Sequence, residues 1–90
     1  MKMEIKHEIE EHRFYTEVEG YTGYVEYWIH DGGLDILHTI VPDEIGGRGI
    51  AAALVAAAYD YAREKGLQPL ATCSYAVAWL EMHSGQAEEN

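Results

Sequence analysis

At 90 residues, 48% apolar and 11% aromatic, the chain suits one small globular domain over residues 1–90, near the lower size limit for an unstapled core. Six basic residues against sixteen acidic ones leave a net charge of −10, which argues against nucleic acid and anionic membranes as partners, since both are held by Lys and Arg. A single cysteine cannot close an internal disulfide, and neither a membrane-length apolar run nor a signal-like N-terminus is present, so a cytoplasmic location is expected.

Ile5 to Glu11 is acidic and weakly alternating, a first strand or its lead-in. Arg13 to Glu19 places Phe14, Thr16 and Val18 on one face, a stronger strand pattern. Gly20 to Gly23 reads as a turn, and Tyr24 to His30, aromatic and β-branched, as the next strand. Asp31-Gly32-Gly33 is a hairpin signal, after which Leu34 to Val41 returns. In that strand His38 alternates with Leu34, Ile36 and Ile40, which predicts an apolar-facing His38 and a Thr39 on the opposite face. The strands should form an antiparallel meander.

Pro42 stops the ladder. Arg48 to Lys65 reads as a helix, apolar nearly all round from Ile50 to Tyr59 and capped at its end by Gly66. Leu67 to Cys73 is a short strand, expected parallel to Leu34–Val41 because a helical crossover joins them. Ala76 to His83 is a second, shorter helix with Val77, Leu80 and Met82 inward, and a polar tail that frays follows over 85–90. The fold class is α+β: a mixed sheet with an antiparallel N-terminal meander, one long helix after the glycine loop, a parallel strand and a short C-terminal helix.

The strand, glycine loop and helix N-terminus around Val41–Ala52 form an anion site from backbone alone. Glycines permit φ > 0 and close approach, and the first helical N–H groups have no partner inside the helix. Gly47-Arg48-Gly49-Ile50-Ala51-Ala52 fits the dinucleotide fingerprint taken alone, but the next strand ends Ala71-Thr72-Cys73 with no carboxylate for a ribose. A Walker loop fails too, because no Gly-Lys-Ser/Thr follows.

The order of elements, with His38-Thr39-Ile40-Val41-Pro42, then Gly47-Arg48-Gly49-Ile50-Ala51 and Leu54-Val55, then Cys73-Ser74-Tyr75, resembles the GCN5-related N-acetyltransferase superfamily. The closer likeness is to its minimal, YjdJ-type branch. The resemblance covers nearly the whole chain and implies acetyl-CoA binding. It implies pyrophosphate on the N–H groups of Gly46, Gly47, Arg48, Gly49, Ile50 and Ala51. It further implies a pantetheine arm along the backbone of Thr39, Ile40 and Val41, and an acyl group pointing toward Cys73. The family usually has Arg or Gln where this chain has Gly46, and Arg48 is the basic residue at hand to compensate.

Three residues are candidates for chemistry. Cys73 is either a small buried hydrophobe at a strand end or a thiol beside the acyl group. His38 is either a satisfied core residue or a base for that thiol or for the acceptor amine. Tyr75 is either packing over the sheet end or the group that protonates the leaving thiolate, as tyrosines near this position do in the superfamily. The other histidines show no metal-ligand spacing, so no metal is expected. The function implied is N-acetyl transfer to an amine, with a cationic peptide or polyamine suited to an open, acidic acceptor side. The alternative is a CoA-binding or protein-interaction module of weak or no turnover. A monomer or weak homodimer is expected.

Overall fold

Alternation decides where the strands lie. In the computed structural model, which describes residues 3–88 and side chains through His83, Phe14, Thr16 and Val18 are all buried along one face of β2 (Arg13–Val18). β1 (Lys6–Glu8) pairs antiparallel with β2, β2 with β3 (Tyr21–His30), and β3 with β4 (Gly33–Ile40). Helix α1 (Ile50–Glu64) then crosses the sheet, β5 (Gln68–Ala71) joins β4 in parallel, and α2 (Ser74–Glu88) follows. The result is one five-stranded mixed sheet whose spatial order follows the chain, as the α+β reading requires.

Several boundaries differ from the sequence reading, each for a local reason. The first strand is only Lys6–Glu8, because Ile9–Glu11 winds into a 3-10 turn that ends at His12 with φ 56. The turn expected over Gly20–Gly23 is Glu19-Gly20, with φ of 54 and 86, the twist that suits a two-residue hairpin. Gly23 lies inside β3, where an added Cβ would meet Ile50 Cγ2 at 3.3 Å and Val41 Cγ2 at 3.5 Å. It is a glycine of close approach rather than of a turn. α1 starts at Ile50, not Arg48, because Gly49 takes the left-handed φ of 76.

The largest departure is inside β4. Ile36 pairs with Tyr27 and His38 with Glu26, so Leu37 is an extra residue, a β-bulge. One inserted residue exchanges the faces of everything after it. Leu34 and Ile36 are fully buried against α1, yet His38 and Ile40 then turn to the other face, where the His38 side chain is 64% exposed. Thr39 takes the inward position instead.

Ile50, Leu54, Val55, Ala58, Tyr59 and Ala62 bury one side of α1 on the sheet. The Tyr59 hydroxyl donates to the Leu70 carbonyl at 2.5 Å, fixing the helix to β5. α2 lies beside α1, with Trp79 and Tyr59 ring centroids 5.6 Å apart. It is as long as α1 and takes in the stretch read as a tail as far as Glu88, with residues 89–90 outside the described residues. Its inward stripe is Ala76, Trp79 and Leu80; Val77 and Met82, expected inward, are exposed. Both helices therefore cover one face, and among the described residues no element packs on the other.

At the far edge, β1 is held by an aromatic cluster. His7 Nε2 accepts from the Tyr27 hydroxyl at 2.6 Å, and the imidazole stacks on Phe14 at 3.9 Å. Burial lowers the His7 pKa, and burial followed by the nearby Tyr61 pushes Tyr27 up to about 12. The unfolded chain therefore takes up a proton on His7 before the folded one does. Stability is full above the ordinary imidazole pKa and declines as pH falls through it. The difference in urea midpoint between the wild type and His7→Gln should shrink on going from neutral pH to below that pKa; a constant difference would refute the coupling. A second prediction concerns Gly33, where a Cβ would lie 2.4 Å from Leu70 Cδ1 and 3.0 Å from the Gln68 carbonyl oxygen. Gly33→Ala should cost about 1–3 kcal/mol in urea unfolding, and an unchanged midpoint would show that Leu70 and the β5 backbone yield freely.

Candidate functional site

The bulge that turns His38 outward also ends the β4–β5 pairing. That ladder stops at Ile36↔Ala71, whereas β4 continues against β3 as far as Ile40. At the point of divergence one carbonyl takes two donors: the N–H groups of Thr72 and Cys73 both reach Ile36 O at 3.0 Å. The chain then leaves the sheet and enters α2. Beyond Ile36, β4 and the start of α2 are the two sides of a cleft.

Cys73 sits at its apex. Its carbonyl accepts from Val77 N–H at 2.9 Å, which makes Cys73 the residue that opens α2. Its Sγ lies 3.4 Å from Thr39 Oγ1. Burial pushes the thiol pKa up, but hydrogen bonds from the Thr39 hydroxyl and from the N–H groups of Ala76, Tyr75 and Thr39 outweigh it. The net shift is downward, as for a thiol at a helix N-terminus. The expected Cys73–His38 couple does not form, because Thr39 on the helix face meets the sulfur and its neighbour His38 projects from the opposite face. Thr39, read as facing away from the apolar side, is the residue that holds the cysteine.

The glycine loop forms the other wall. After Pro42, the 3-10 turn Asp43–Ile45 is anchored by buried Ile45, and the Gly46 N–H donates to Asp43 O at 3.0 Å. That bond removes the Gly46 N–H from the expected set of anion donors. Gly47 and Gly49 have φ of 75 and 76, and a Cβ on either would meet nothing within 4 Å. Helix geometry leaves the N–H groups of Ile50, Ala51 and Ala52 without intrahelical acceptors; the first bond runs from Ala53 N–H to Gly49 O at 3.1 Å. A groove of about 290 Å³ runs over these residues, lined also by Val41, Ile45 and Tyr75. Tyr75, on the first turn of α2, is brought to the same groove as the loop.

Arg48 is placed differently from the expectation. Its guanidinium grips Glu19 in the β2–β3 turn through bonds of 2.9 and 3.1 Å, and it does not line the groove. It ties the glycine loop to the sheet rather than facing an anion. His38 Nε2 lies 4.0 Å from Glu26 Oε1 on the bare face, across the sheet from Cys73 and Thr39. Among the described residues, no group of three or more His, Cys, Asp or Glu is placed to hold a metal, and no helix is long and apolar enough to cross a membrane.

Sequence reasoning missed the Cys73–Thr39 pair and the Arg48–Glu19 tie. Neither had a local signal: the first depends on a one-residue bulge and the second on residues 29 apart in sequence. The comparisons agree with the geometry. The family described as GCN5-related N-acetyl-transferase matches residues 13–89. Among solved structures, a GCN5-like protein of Staphylococcus aureus, determined in solution by NMR, is similar at 35% sequence identity and a TM-score of 0.69. The match covers 92% of this chain and 83% of that one.

The thiol environment is testable directly. The pH dependence of Cys73 alkylation should give a pKa below that of a free cysteine. Thr39→Val, which keeps the shape and removes the hydroxyl, should slow alkylation at neutral pH about fivefold, the worth of one hydrogen bond. An identical pH profile in the variant would mean that the hydroxyl does not act on the sulfur.

Proposed function

The chain belongs to the GCN5-related N-acetyltransferase family, and from that premise we propose that it binds acetyl-CoA in the cleft between β4 and α2 and transfers the acetyl group to an amine. The observation that carries this reading is the coincidence of two features at one place. β4 parts from β5 at Leu37, and a glycine loop opening a long helix lies beside the parting.

The fit to the cofactor rests on what the groove offers. Phosphates need donors and room. The N–H groups of Ile50, Ala51 and Ala52 and the positive end of α1 supply the donors, and the open space over Gly47 and Gly49 supplies the room. The edge of β4 beyond Ile36, where the β5 ladder has ended, together with Val41, suits an extended amide-bearing arm. When bound, acetyl-CoA supplies an acyl group activated as a thioester.

The protein's own groups divide between the two faces of the sheet. On the helix face, the Thr39 N–H and the N–H groups at the start of α2 favour negative charge at the apex, where an oxyanion or thiolate develops. Tyr75 on the groove wall is the proton donor to the departing thiolate. On the bare face, His38 beside Glu26 takes the proton of the attacking amine. Cys73 lines the acyl end, and the amine attacks directly, since His38, the candidate base, lies across the sheet from the thiol. A protein-interaction module of the same fold, with weak CoA binding and little turnover, is the second reading, favoured by one fact: the side chain best suited to a phosphate, Arg48, is committed to Glu19.

Titration of isotope-labelled protein with acetyl-CoA should shift the amides of Thr39, Val41 and Gly47 to Ala52 saturably. In acetyl-transfer assays, His38→Ala should lower kcat about a hundredfold, a general-base effect, with acetyl-CoA affinity unchanged. Absence of shifts would sink the cofactor assignment, and full turnover in His38→Ala would remove the histidine from the chemistry.

A further inference from the structure

The sheet face opposite the helices is not an ordinary polar exterior. Register aligns its side chains into rows across the strands. Tyr15 faces Tyr24, which faces Ile40; Arg13 faces Glu26, which faces His38. Tyr24, Glu26 and Trp28 alternate along β3, and Trp28 is 52% exposed. Rings and a carboxylate thus alternate along β3 in a shallow plane on which, among the described residues, no helix packs, with the His12 ring meeting Trp28 edge-on at 5.1 Å.

This plane already holds one cation. The Arg13 guanidinium lies 5.8 Å from the Tyr15 ring and 5.7 Å from the Tyr24 ring, with Glu8 as its ion partner at 2.5 Å. At the β1–β2 edge, a polar recess of about 130 Å³ is lined by Glu4, Lys6, Tyr15 and Glu17, two carboxylates and a ring with one ammonium among them. Each site sets rings and carboxylates around one of the chain's own cations, Arg13 or Lys6, which is the chemistry that receives an ammonium or guanidinium. Carboxylates remain in excess on a chain of net charge −10.

We propose that the bare face docks an extended, cationic peptide segment. Lysine or arginine side chains on the segment occupy the ring-and-carboxylate positions around Tyr15, Glu17, Tyr24, Glu26 and Trp28. This deepens the acetyl-transfer reading and rests on it for one point, that the amine to be acetylated lies at His38, where the face meets the cleft. From Tyr15 to His38 is two strand spacings across and two residues along, about 12 Å. A cationic residue about three to four positions from the acetylated lysine would span that distance. The acceptor would then be a protein or peptide recognised beside its lysine, rather than a small free amine enclosed by the site.

The test uses a flexible Gly/Ser peptide carrying three lysines, and the same peptide with those lysines acetylated. The lysine peptide should shift the amides of Tyr15, Tyr24, Glu26 and Trp28 saturably, and the neutral one should not. Raising salt well above physiological strength should weaken binding about fivefold or more. The Glu17→Gln/Glu26→Gln double variant should do the same, whereas Glu64→Gln, on the end of α1, should leave binding unchanged. Equal binding of both peptides, shifts confined to Gly47–Ala52, or no shifts would overturn the proposal. So would concentration-dependent broadening of these same amides without peptide, which would assign the face to a second copy of the chain. An acetyl-CoA titration of the same sample separates the two readings. Peptide binding without acetyl-CoA binding removes the transferase and keeps the docking face; acetyl-CoA binding without peptide binding does the reverse.

Discussion

One extra residue in β4 governs the site. Were Leu37 paired in a regular pleat instead of bulged, His38 and Ile40 would join Leu34 and Ile36 in the core, and the parallel ladder with β5 could continue. The bulge prevents both. It ends the ladder at Ile36, brings Thr39 round to Cys73, and sends His38 to the opposite face beside Glu26. A single backbone irregularity thus makes the cleft and distributes the polar groups to its two sides. Bulges recur beside functional sites for this reason: they re-aim side chains without altering the rest of the sheet.

The second dependence is steric. α1 can bring its first turn over the sheet because Gly23 leaves room for Ile50 and Val41. Ile45 and Ile50, both buried, anchor the two ends of the glycine loop, and the Arg48–Glu19 pair holds its outer side. An exposed ion pair contributes little stability, and its value here is positional. The loop is fixed on three sides, and its unpaired N–H groups stay directed at one groove.

Much of this was legible in the sequence. Period-two alternation marked β2, Asp31-Gly32-Gly33 marked a hairpin, and the glycine loop before the Ala-rich run marked the start of α1 to within two residues. The order strand, glycine loop, helix, parallel strand identified both the fold and the place of the groove. What could not be read was parity. Leu37 carries no mark of a bulge, so simple alternation puts His38 and Thr39 on each other's faces and His38, rather than Thr39, beside Cys73. Likewise, nothing near Arg48 announces Glu19, because the contact exists only once the β2–β3 turn and the loop have come together. In α2, Ala76, Trp79 and Leu80 face inward rather than Val77 or Met82, because contact with α1 and the sheet sets the helix's rotation. Local pattern conveyed the elements, and tertiary contact decided their faces.

The spatial order of the strands repeats their order along the chain, and every antiparallel pair joins consecutive strands. Such neighbours can zip from their turns, at a low entropy of loop closure. Only the β4–β5 pairing must close across a helix. β5, Cys73 and α2 are therefore the costliest part to bring home and the first to be released. A chain that opens partially would keep its meander and its bare aromatic face while losing the cleft. The capacity to dock and the capacity to react would then part at different depths of unfolding, and amide hydrogen exchange would read that as a step in protection between Ile36 and Cys73.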